Sequence, residues 1–157
     1  IPPQTLIAVE ATSQALTSTL QALAAAFDGV VAVRKPGEHV AYNAAAVVAG
    51  NLAFALLQQG ITLMAQAGID DDTARRGLAA LLASTAERAL QAPLTEAMTG
   101  PVARGDVDTV ARHLDVLQAH PDIDAVYRAL SQALVQKSPA DDDAKEALIR
   151  LLTTSMP

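Results

Sequence analysis

The chain has 157 residues, 51% of them hydrophobic and 3% aromatic, with a formal net charge of -6 and no cysteine. Enough apolar surface exists to bury a core, which excludes a disordered chain, while the acidic balance disfavours nucleic acid and anionic membrane surfaces, both of which need clustered Lys and Arg. The missing cysteine excludes disulfides, thiolate metal sites and cysteine nucleophiles, and fits a reducing, cytoplasmic setting.

Much of the apolar fraction is alanine, the best helix former, so closely packed helices are expected rather than a β-sandwich. The run TLIAV, bounded by Pro2-Pro3 and Glu10, reads as a strand. Thr12 then suits a helix cap, and Leu16, Leu20, Leu23 and Phe27 follow at helical spacing, with Gly29 just past the helix end. VVAV, Val30 to Val33, reads as a second strand. A strand-helix-strand unit implies parallel strands and a right-handed crossover. Two lone parallel strands are poorly stable, so this unit asks for a larger sheet.

After Lys35-Pro36 the pattern changes: no charged residue occurs from Val40 to Ile69. A helix of that length would cross a bilayer. Asn43, Asn51, Gln58, Gln59 and Gln66 are spread through it, however, and alanine is only weakly hydrophobic. The expectation is a buried central helix, Val40 to Gln66, or half of a dimer interface, without a membrane. Gly50 and Gly60 suggest close approach of a neighbouring backbone, and Gly68 is a natural stop.

A helical series completes the chain. DDDTARRGLAALLASTAERAL opens with acidic residues that suit a helix N-terminus, with Leu78, Leu81, Leu82 and Ala89 as its apolar face. PLTEAM forms one turn. DVDTVARHLDVLQAH carries Val107, Val110, Leu114 and Leu117 as a core stripe; beyond Pro121, the next helix turns Ile123, Val126, Tyr127, Leu130 and Leu134 inward. A last helix follows Asp141–Asp143. The two DDD runs are solvated helix starts, lacking the alternating spacing and bidentate Glu of a calcium loop.

The segment TGPVARGDVDTVARHL concentrates the candidate residues. Asp106 stands at a helix start and can cap the N–H of Asp108 or Thr109. Gly105 permits the tight turn before it, and Thr99, Gly100 and Pro101 form the preceding loop. Arg104 reads as a local ion partner of Asp106 or as a site residue. His113, two turns after Asp106 on the same face, reads as a satisfied surface or interface histidine or as an acid/base group. Arg-Gly-Asp as an adhesion triplet gives way to the capping role of its Asp. In the charge-free helix, Tyr42, Asn43 and Asn51 are the polar groups of interest. The two asparagines lie roughly on one side and either hydrogen-bond another helix or line a cleft, since a buried Asn is costly unless paired. His39 sits near the helix start as a capping or surface residue. No Gly-rich phosphate loop, H-E-x-x-H or nucleophile elbow occurs, and His39, His113 and His120 lack metal-ligand spacing, so no metal is expected.

In order, HVAYNAAAVVAGNLAFALLQQGITLMAQAGI, GLAALLASTAERAL, MTGPVARGDVDTVARHLDVL and VYRAL resemble the C-terminal part of two-domain Rossmann-like proteins. The second half of those proteins is catalogued as a domain of unknown function, and they are related to the 6-phosphogluconate dehydrogenase and F420-dependent NADP oxidoreductase group. The resemblance spans about Leu6 to Leu130, and its most specific part is Thr99 to Leu114. It implies that residues 1–35 are the β-α-β tail or junction of a dinucleotide-binding domain, whose G-x-G-x-x-G turn would lie upstream of Ile1. Residues 36–157 would then be the helical dimerisation and substrate-side domain. It also implies NAD(P) in the full-length protein, no cofactor on this chain alone, and a homodimer. Where the family shows Tyr-His-Ala-Ala-Ala, this chain has Tyr42-Asn43-Ala44-Ala45-Ala46. Asn43 does not titrate and cannot transfer a proton as His would. The expectation is therefore a mainly α fold with a short N-terminal β-α-β piece, serving an NAD(P)-dependent oxidoreductase-like protein. The alternative is a non-enzymatic homodimeric scaffold or regulatory module.

Overall fold

A computed structural model describes residues 5–34, 37 and 39–154. The expected boundaries at Pro2-Pro3 and Lys35-Pro36 lie outside them. The fold is mainly α, with one small parallel sheet at the front. By compactness the chain divides into two units, Ile1–Leu56 and Leu57–Pro157.

In the first unit β1 (Leu6–Val9) and β2 (Val30–Val33) pair in parallel, Leu6 opposite Val30 through Val9 opposite Val33. Helix α1 (Gln14–Ala25) joins them and rests on both strands. Its cap is Ser13 rather than Thr12: the Ser13 hydroxyl accepts the Leu16 N–H at 3.3 Å. The left-handed residue after the helix is Asp28, with φ 53°, not Gly29. The expected face of α1 is not covered: Leu16, Leu23 and Phe27 are exposed and only Ala24 is buried. A two-stranded sheet has too little surface to cover that stripe.

The charge-free segment forms α2 (His39–Ala46), a π-helical segment (Val47–Asn51) and α3 (Ala53–Gln66). Taken together, His39–Gln66 is 28 residues of helix, long and apolar enough to cross a membrane by length and composition. It corrects the expectation of a buried central helix. From His39 to Leu56 no residue is buried, and Val40, Val48 and Phe54 are 67%, 67% and 76% exposed. A Cβ added at Gly50 would meet open space, whereas at Gly60 it would meet the Leu78 side chain at 3.0 Å. Gly68, φ 77°, ends α3 as expected: Gly68 N–H donates to Ala65 C=O and Ile69 N–H to Met64 C=O, the paired closing bonds of a Schellman turn.

In the second unit, Asp70 caps α4 (Asp71–Gln91), accepting the Thr73 N–H at 3.0 Å. Its expected apolar face is only half-buried at Leu78 and exposed at Leu81, Leu82 and Ala89; Ala74 is the buried position. One-turn helices α5 (Leu94–Ala97) and α6 (Pro101–Arg104) follow, then α7 (Val107–Leu117), α8 (Pro121–Val135) and α9 (Asp142–Thr153). The core is built by α6 to α9, from Val102, Val110, Leu114, Val135, Leu148 and Leu152. The α7 stripe is as expected. On α8 the buried face is rotated: Ser131 and Val135 are buried, while Leu130 and Leu134 are exposed. Arg128, on the same face as Ser131 and Val135, joins α8 to the end of α9. Its Nη1 donates to the carbonyls of Leu151, Leu152 and Thr154 at 3.0, 3.3 and 3.1 Å, and its Nε pairs with Asp124 at 2.7 Å.

Candidate functional site

The Thr99–Asp106 segment holds the start and end of one short helix and the start of the next. Thr99 is an exposed residue of the loop, Gly100 stands at φ 95°, and Pro101 opens α6 at a position where no N–H is needed. Gly105 closes α6 in the left-handed region, φ 70° and ψ 23°. A Cβ there would lie 2.7 Å from that of Ala144 and 3.2 Å from that of Ala140, so α9 seats directly against this turn. Asp106 then caps α7, its Oδ1 accepting the Thr109 N–H at 3.1 Å. Hydrogen bonds from the Thr109 side chain and backbone hold the Asp106 carboxyl below its ordinary value. Gly100, Pro101, Gly105 and Asp106 thus shape the backbone here.

Arg104 ends α6, exposed, and makes a loose ion pair with Asp106 at 3.8 Å. Such a pair is worth little in solvent. His113 is exposed on α7, and its Nδ1 lies 2.9 Å from the Tyr127 hydroxyl of α8, with the rings edge to face at 5.9 Å. Burial raises the Tyr127 phenol above its ordinary value, and a hydrogen bond with the buried Ser131 side chain opposes that in part. Beneath the pair is an apolar pocket of about 270 Å³, whose walls include Leu63, Val116 and Leu117. The Ser131–Tyr127–His113 chain is the polar feature that sequence reasoning missed. Tyr127 reads as core from its spacing, and no sequence signal sets the register of α8 against α7.

In the first unit Tyr42 is a strut: its hydroxyl donates to the Leu6 carbonyl at 3.4 Å, and the Arg34 guanidinium lies over its ring at 5.8 Å. Arg34 in turn pairs with Glu10 at 3.0 Å. Asn43 and Asn51 are exposed, and neither side chain hydrogen-bonds to another described residue. The π turn between them, sealed by Leu52 N–H to Val47 C=O at 2.9 Å, adds one residue to the helix. That insertion makes their separation equivalent to seven helical residues, about 20° from eclipsed, in place of about 80° in an unbroken helix. The two amides therefore share a face. No group of three or more His, Cys, Asp and Glu residues able to hold a metal occurs among the described residues.

These elements define a class first: a helical domain carrying a small parallel β-α-β unit, with polar side chains isolated on exposed helix faces. A family model described as a domain of unknown function, DUF2520, matches residues 5–134, and the chain belongs to that family. The match runs from β1 into α8, so α9, which brings Leu148 and Leu152 to the core, lies beyond it. No curated protein and no solved structure matches the chain.

Proposed function

We propose that this chain is the helical, dimerising and substrate-side domain of an NAD(P)-dependent oxidoreductase-like protein of the cytoplasm, related to the 6-phosphogluconate dehydrogenase group. The observation that carries this reading is the sheet. Its two parallel strands each have a single partner among the described residues, and the α1 face above them is bare. Parallel strands are stable in larger covered sheets, and a dinucleotide-binding domain would supply one. The resemblance of HVAYNAAAVVAGN and MTGPVARGDVDTVARHL to that group supports the same conclusion.

Dimerisation rests on the charge-free helix. Val40, Val47 and Leu52 are exposed along α2 and the π turn, and with the inserted residue counted Val47 and Leu52 lie about 20° to either side of Val40. Isolated exposed apolar residues are ordinary, but a contiguous row marks an interface. A bilayer is the other cover its length permits; the amides of Asn43, Asn51, Gln58 and Gln59 favour protein. In the dimer, the Asn43/Asn51 face would line the substrate side.

The test is the full-length gene product: its intact mass, its fluorescence titration with NADPH, and its size by light scattering without detergent. A product much heavier than 16.2 kDa that binds NADPH supports the reading. A product of this mass without binding leaves the non-enzymatic homodimeric module, which Asn43 in place of a titrating residue favours. Leu52→Glu should give monomers; an unchanged dimer would remove the helix from the interface, and dependence on detergent would place it in a membrane.

A further inference from the structure

A second cleft, about 400 Å³, opens between the C-terminal half of α3 and the start of α8, within the second unit. This volume is in the range of small-molecule sites. Gln58, Gln59 and Thr62 line one wall, and His120, Asp122 and Ile123 the other. The walls are tied together one turn beyond Thr62, where the Gln66 amide Nε2 meets the His120 Nε2.

We infer that this cleft binds a small, uncharged, polyhydroxylated molecule. The inventory of groups argues for it. Gln58 and Gln59 make no side-chain hydrogen bond to any described residue, so each leaves a donor and an acceptor free. The Thr62 hydroxyl donates its proton to the Gln58 carbonyl at 3.1 Å, which leaves its lone pairs as acceptors. Asp122 forms no ion pair with a described residue and offers two carboxylate oxygens, able to accept from two neighbouring hydroxyls. A hydroxyl donates and accepts at once, and this mixture of amides, hydroxyl and carboxylate matches it. No Lys or Arg lines the cleft, and the chain is acidic overall, which disfavours an anion. Pro121 and Ile123 supply apolar surface for the C–H face of a sugar ring. The inference does not depend on the nucleotide reading, because it is tested by binding alone.

The experiment is NMR titration of the ¹⁵N-labelled chain with D-ribose, D-glucose and, separately, putrescine, each to about 50 mM, which saturates a site of millimolar Kd. Saturable shifts of the Gln58 and Gln59 side-chain amides and of the Ile123 backbone amide with a sugar are expected. Asp122→Asn should weaken that binding about tenfold or more, the loss of hydrogen bonds to a charged acceptor. Gln58→Ala, at an exposed position that leaves the fold intact, should weaken it severalfold. No saturable shift with either sugar overturns the inference. So does a response to putrescine alone, which would make the cleft a cation site, or wild-type affinity in both variants.

Discussion

Gly105→Ala places two separable costs on one atom. Gly105 sits at φ 70°, where an alanine costs about 1–2 kcal/mol in steric conflict with its own backbone. The new Cβ would also stand 2.7 Å from the Ala144 Cβ, well inside the roughly 3.5–4.0 Å of a normal carbon contact. Overfilling a packed contact of this kind costs about 1–3 kcal/mol. The expected total is about 2–5 kcal/mol, which for a chain of this size lowers the melting temperature by roughly 5–15 °C. Urea unfolding should be followed at the Tyr127 ring resonances, so that the second unit alone is read. The two costs part in a double-mutant cycle with Ala144→Gly, which removes the obstructing methyl but leaves the backbone conflict. Ala144→Gly alone costs about 0.5–1 kcal/mol inside a helix, and the pair should be less destabilised than the sum of the singles by about 1 kcal/mol or more. A loss below about 1 kcal/mol for Gly105→Ala, or an additive pair, would refute the seating of α9 on this turn.

Arg128→Met should cost roughly 3 kcal/mol by urea unfolding, because it strands the Asp124 carboxylate and uncaps the last carbonyls of α9, in a pair only 15% and 24% exposed; a loss under about 1 kcal/mol would contradict the capping role. The raised Tyr127 phenol is neutral more readily in the folded state, so its contribution is complete below its ordinary value of 10.0 and fades as pH rises through and above it. Tyr127→Phe should therefore flatten the loss of stability above that pH, and parallel pH profiles would count against the assignment. The lowered Asp106 carboxyl has the opposite sense: its capping contribution is present above 3.8 and disappears as pH falls below it. The stability gap between wild type and Asp106→Ala should accordingly close in acid, and a gap that persists there would separate capping from ionisation.

The helices and their caps were legible because capping and periodicity are local. Asp106, Asp141 and Gly68 act where the sequence places them, and the Val107, Val110, Leu114 and Leu117 stripe is the buried face of α7. What failed was the cover. Apolar spacing marks a face that wants burial but not what buries it, so Leu16, Leu23, Leu81 and the charge-free helix were expected inside and stand exposed. The rotation on α8 escaped for a related reason. Leu130 and Leu134 are the larger apolar residues, yet Ser131 and Val135 face inward, on the side where Arg128 reaches the end of α9. The partnership of His113 with Tyr127 depends on the same interhelical register, which no spacing within either helix encodes.

The π turn offers a direct test of the exposed helix, because it can be removed without changing any side chain that the reading uses. Deleting Ala49 takes out the inserted residue and lets α2 run on as ordinary α-helix. Seven residues then separate Asn43 from Asn51 in an unbroken helix, again about 20° from eclipsed, so the deletion keeps everything after the turn in the same rotation against everything before it. An isolated helix gains from this, since a π turn is the rarer geometry. Helix content by circular dichroism should therefore be kept. Association should be kept too, because a self-complementary interface needs its apolar row on one side along its whole length and the deletion leaves that row in register. If the deletion variant no longer associates although its register is kept, that shared face is not what aligns an interface. The shared face of Asn43 and Asn51 would then need a different explanation from substrate-side packing between two copies.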